Sequence, residues 1–136
     1  MHGKQGISLY LGKIMNAQST ITLELSIPVF LFDKCREQPT MLLDILSEQQ
    51  IAQIKEFVFD SLEDKDGAPQ VEDLDVSFFK YDEAERRGSF RLHFYLNRRF
   101  CCADTDSCQQ DYLDFHFSYA NEMLKATATY FNWNVT

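Results

Sequence analysis

Between Gly88 and Ala120 the chain reads GSFRLHFYLNRRFCCADTDSCQQDYLDFHFSYA, a stretch with three of its four cysteines and two of its three histidines. Histidine changes charge near neutral pH, so His93 or His116, oriented by Asp114, would make a general base. Asp114 and His116 lie two apart, however, which on one strand separates their side chains by about 7 Å. No nucleophile elbow, zincin helix or phosphate loop accompanies them. The cysteines pose a metal question. CCADTDSC brings Cys101, Cys102 and Cys108 near Asp104 and Asp106, but structural zinc sites usually leave two to four residues between paired cysteines. Here the gaps are zero and five, and no second knuckle follows. We read the stretch as a hairpin loop with partly buried thiols, since a free cysteine behaves as a small hydrophobe. Asp104 and Asp111 suit turns and caps. DKDG (64–67) fails as a calcium loop, because the first and twelfth ligands would be Leu62 and Asp73. It reads as the turn that ends a helix. Neither metal nor cofactor is expected.

The elements that must position these residues follow from periodicity. TITLELSIPVFLF (20–32) alternates, with Ile21, Leu23, Leu25, Ile27, Val29 and Leu31 on one face, and reads as a strand that Pro28 bends or keeps at an edge. DKCREQPT (33–40) reads as a loop, and Met41–Leu46 as a turn or short helix. Ser47 with Gln50 forms a capping box. Ile51, Ile54, Phe57, Val58 and Leu62 then follow the stripe of an amphipathic helix over 48–62. Gly67 and Pro69 end that run.

From residue 73 the period is two. Leu74, Val76 and Phe78 share the inner face of 73–82. Phe90, Leu92, Phe94 and Leu96 do so in 89–98, Leu113, Phe115, Phe117 and Tyr119 in 111–120, and Leu124, Ala126, Ala128 and Tyr130 in 123–133. Short connections at 83–88 and 121–122 favour an antiparallel meander. The expected fold is α+β in the order β-α-β-β-β-β: one main amphipathic helix across a curved antiparallel sheet of four to five strands. The layout is similar to cystatin-like and nuclear-transport-factor-like folds, in arrangement alone. Residues 1–19 read as a leader or a weak extra strand around ISLYL (7–11), and 20–136 as one α+β domain.

The other sheet face then carries the chemistry. Arg91, His93 and Tyr95 stand beside Tyr112, Asp114 and His116, with Phe79 and Tyr81 on one flank and Phe131 and Trp133 on the other. Pairing strands 89–98 and 111–120 end to end places His93 opposite His116 or one diagonal away, close enough to touch. Tyr, Trp and Arg are enriched at binding hot spots. A second packing layer from residues 1–19, or from a dimer partner, would account for the aromatics equally well.

Composition narrows the function classes. A chain of 136 residues with 45% hydrophobic and 14% aromatic residues is suited to one packed core rather than to disorder. The net charge of −8 argues against nucleic acid and suits a basic partner. The longest apolar run is far short of the ~20 residues of a membrane span, so a cytoplasmic protein with reduced cysteines is expected. The leading expectation is a non-enzymatic, inhibitor- or immunity-like interaction module, binding a protein partner or pairing as a homodimer through Arg91, His93, Tyr95, Tyr112, Asp114, His116, Phe131 and Trp133. The alternative is a small-molecule-binding or enzymatic pocket on the same face.

Overall fold

The computed structural model describes residues 18–100 and 105–131. Strand β1 (Gln18–Ser26) is followed by helices α1 (Val29–Glu37), α2 (Met41–Ile45) and α3 (Glu48–Ser61). Four strands come next: β2 (Gln70–Asp82), β3 (Arg87–Phe100), β4 (Thr105–Ala120) and β5 (Met123–Phe131). All pair antiparallel in one sheet of order β1-β5-β4-β3-β2. The architecture is therefore mixed α+β. It is a meander of four strands with β1 returning beside β5, and three described helices stand where one main helix was expected. ISLYL (7–11), Cys101, Cys102, Asp104, Trp133 and the Phe131 side chain lie outside the described residues.

The alternation of β1 holds to Ser26 and then stops. Pro28 does not bend a continuing strand; it stands at the N-cap of α1, where its carbonyl accepts from the Leu31 and Phe32 amides. Proline is well suited to a helix start because its fixed φ matches and no donor is lost. The apolar residues after it then take a helical spacing. Phe32 and Cys35 are buried, while Val29, expected in the sheet core, is exposed. Phe32 stacks on Tyr119 at 3.9 Å between ring centroids and meets Phe79, Tyr81 and Phe117 edge-on. The missing side-chain cap is supplied from the β4–β5 turn, where Glu122 Oε2 accepts from the Val29 amide at 3.2 Å.

Helix α3 forms as its sequence dictates. The Ser47 hydroxyl accepts from the Gln50 amide and the Gln50 side chain accepts from the Ser47 amide, a complete capping box. Ile54 and Val58 are buried, and the helix touches β1, β2 and β5. The sheet contributes Ile21, Leu23 and Leu25, then Leu92, Phe94, Leu113, Phe115, Leu124 and Ala126, to the same buried cluster. The inner face of the sheet is thus the core face.

Strand β2 departs from simple alternation. Its pairing with β3 shifts between Glu72 and Asp75 and again between Ser77 and Lys80. Asp73 and Phe78 take positive φ, 57° and 54°, at these two bulges. Each bulge inserts a residue and reverses the parity of the strand beyond it. Phe79 and Tyr81, expected on the outer face, pack against the core, and Phe78, expected inside, stands exposed on the outside. Gly88 makes the second bulge possible: a Cβ there would sit 2.1 Å from the Lys80 carbonyl oxygen and 2.5 Å from Phe117 Cζ.

Candidate functional site

The outer face is built in rows across the sheet. Lys80, Ser89, His116, Thr127 and Thr22 are successive neighbours from β2 to β1. One step along, Ser77 lies beside Arg91, which faces Asp114. The next row sets Asp75 beside His93 and His93 beside Tyr112. Glu72, Tyr95 and Gln110 form the row after that.

The register overturns one expectation. The β3–β4 ladder continues to Phe100 and Thr105, so the connection is residues 101–104, where the expected strands stopped at Arg98 and Asp111. Lengthening both strands moves the pairing by four residues. His93 faces Tyr112 and His116 faces Ser89. The two histidines are four residues of strand apart, about 13 Å, and do not meet.

The chemistry collects around Arg91. Its Nε donates to Asp114 Oδ1 at 2.7 Å and its Nη2 to Oδ2 at 3.0 Å. Its guanidinium lies 3.8 Å from the Tyr112 ring centroid and 5.6 Å from that of Phe78. Hydrogen bonding to Asp114 holds the guanidinium still further toward its charged form. A fork bonded to a carboxylate and layered on an aromatic ring has little rotamer freedom left. His93 stands 6.3 Å from the Phe78 centroid, and its Nε2 is hydrogen-bonded to the Ser77 hydroxyl.

Two depressions flank this cluster. One, of about 340 Å³, is lined by Phe78, Lys80, Ser89, Phe90, Arg91, Asp114 and His116. The other, of about 480 Å³, lies against Tyr112, Asp114, His116, Thr127, Thr129 and Tyr130. Asp114 and His116 form the ridge between them. On the β5–β1 side the floor is hydroxylated, with Thr20 facing Thr129 and Thr22 facing Thr127 at 3.4 Å between hydroxyl oxygens.

Of the residues singled out in the sequence, Arg91, His93, Tyr112 and Asp114 come together. Tyr95 lies one row beyond, and His116 belongs to the depressions. Asp114 is engaged by Arg91 rather than by a histidine. Phe78, Ser77 and Lys80 were missed. The signal that finds Phe78 is the conflict of parity within β2, since Val76 and Tyr81 cannot share a face without a bulge between them. Among the described residues no group of three or more His, Cys, Asp and Glu side chains is disposed to hold a metal ion, and no helix is long and apolar enough to cross a membrane. No family model matches the chain, no curated protein matches it, and no solved structure matches it.

Proposed function

We propose that the protein is a non-enzymatic interaction module that binds a protein partner through the outer face of its sheet. The observation that carries this reading is Arg91, fixed by Asp114 and layered between Tyr112 and Phe78 on an exposed surface. Arg and Tyr dominate binding hot spots, and a side chain ordered before binding loses less entropy on association. The helices cover the opposite face, so the outer face is the broad sheet surface left for a partner. A second copy of the chain is the homodimeric form of the same reading.

The test compares proteins retained from a lysate by the wild-type chain, by Tyr112→Ala and Phe78→Ala, and by Lys55→Ala on α3. A species retained by wild type and the α3 variant but lost with both face variants is expected. Retention that ignores the face variants removes the reading. Native mass spectrometry of the same proteins separates the homodimer, which Tyr112→Ala would dissociate.

One observation favours a second reading, a ligand-binding or hydrolytic site. Ser77 and His93 are hydrogen-bonded through Nε2, and Asp75 lies opposite His93, the residue types of an activated nucleophile. Labelling of Ser77 by a fluorophosphonate, abolished in His93→Ala, would support it. An unlabelled Ser77 would leave the contact a structural hydrogen bond.

A further inference from the structure

Ser89 stands at the centre of a cross of basic side chains. Arg87 and Arg91 lie two residues to either side of it on β3, and all three point outward. Lys80 on β2 and His116 on β4 are its cross-strand partners. Ser118, beside His116 on β4, has its own basic neighbours, facing Arg87 on one side and Lys125 on the other. Among the described residues no carboxylate lies within salt-bridge distance of Lys80, Arg87 or Lys125, and only Arg91 of this group is paired. Asp114 is the carboxylate inside the patch, and Arg91 engages both its oxygens. Asp82 and Glu24 lie at its outer edges, opposite Arg87 and Lys125. The small hydroxyl side chains make a low floor between longer cationic ones, and Phe78 supplies an exposed apolar wall.

The charge is therefore uneven. The chain carries −8 overall, which by itself suits a basic partner. The Ser89 end of the outer face has the opposite sign, and Glu72 and Asp75 mark an acidic far end on β2. Charges at strand spacing, about 5 Å, lie within one Debye length of each other at physiological salt. They act together on an incoming anion. From Lys80 to Thr127 is three strand spacings, about 14 Å, which four or five extended residues would cross.

Resting on the reading of this face as a partner surface, we infer that its basic end docks an acidic segment of the partner. The partner's carboxylates lie over Ser89 and Ser118, and an apolar side chain packs on Phe78. Lys80, Arg87 and Lys125, which make no ion pair among the described residues, stand over a hydroxyl floor and favour carboxylates, which accept hydrogen bonds from both. The acidic end on β2 sets the direction in which the segment lies.

The test titrates isotopically labelled protein with a hexaglutamate peptide carrying one tryptophan, with its lysine counterpart, and with inorganic phosphate, following backbone amides. The acidic peptide should shift Ser89, Arg91, His116, Ser118 and Lys125. Its Kd should rise at least about fivefold between 50 and 300 mM salt, as expected for screened charges. The Lys80→Glu/Lys125→Glu variant, checked for an unchanged amide pattern elsewhere, should bind it at least about tenfold more weakly, with Lys80→Ala/Lys125→Ala in between. Equal shifts from the lysine peptide, or a Kd within twofold in the charge-reversed variant, would overturn the inference. Phosphate displacing the peptide at low millimolar concentration would reassign the site to a small oxyanion. Failure of the acidic peptide while Tyr112→Ala still abolishes partner capture would remove the charge assignment alone. Failure of both would remove the partner surface itself.

Discussion

The Arg91 guanidinium lies over the Tyr112 ring, 3.8 Å from its centroid, and this contact crosses from β3 to β4 two residue pairs along the ladder from the direct Arg91–Asp114 partnership. Both side chains are partly open to water, so the contact orders Arg91 more than it stabilises the fold.

Arg91→Ala and Tyr112→Ala should therefore each change unfolding free energy by less than about 1 kcal/mol, with a coupling of about 0.5–1 kcal/mol in the double-mutant cycle. Against a captured partner the same changes should cost at least about 2 kcal/mol, more than tenfold in Kd. Urea unfolding and titration calorimetry measure the two. A loss of stability matching the loss of binding would make the cluster a structural one.

Gly88→Ala should destabilise by about 1–3 kcal/mol, the usual range for overpacking. The Cβ would meet the Lys80 carbonyl at 2.1 Å, and because that atom is backbone the bulge itself must move. The bulge sets Phe78 outside, so the amides of Ser77–Lys80 should shift most in the spectrum. Amide shifts confined to Gly88 would show that the bulge is independent of it.

Tyr119→Phe removes one hydroxyl and keeps the ring stacked on Phe32. That hydroxyl donates to the Ile27 carbonyl at 2.5 Å, in the turn between β1 and α1. A loss of about 1–3 kcal/mol is expected if the carbonyl is left without a partner. Restoration to within a few tenths would mean water replaces it.

Burial pushes the Cys35 thiol up to about 11 from 9.0, and burial also raises Tyr119 and Tyr130, the latter further held neutral by donating to Asp111. Folded pKa values above the unfolded ones mean the unfolded chain releases protons first. Stability is then full below pH 9 and declines as pH rises toward 11, by an amount that for Cys35 alone is at most about 3 kcal/mol. Urea midpoints across that window should fall, and less steeply in Cys35→Ala. At pH 8, iodoacetamide should modify exposed Cys108 at least about a hundredfold faster than buried Cys35. Equal rates would place Cys35 at the surface.

Much of this architecture is written in local pattern. The alternation of Ile21, Leu23 and Leu25, the even-numbered apolar run Phe90–Leu96 and the odd-numbered run Leu113–Tyr119 each assign one face without reference to the rest, because strand side chains repeat every two residues. The Ser47–Gln50 box and the stripe ending at Leu62 do the same for α3. The types on the outer face, Arg91, His93, Tyr112 and Asp114, are obtained by subtraction.

Which residues meet was decided elsewhere. Pro28 turns an apparent strand into a helix because a helical run there buries Phe32 against Tyr119, a contact 87 positions away that no window on the sequence contains. The two bulges in β2 put Phe78 outside and Phe79 inside, since a bulged strand must satisfy the ladder of its partner and the space beside Gly88. The pairing of Arg91 with Asp114 rather than His93 with His116 rests on how far β3 and β4 extend before they turn. Strand faces are a local property of the backbone, and register is a property of the pair.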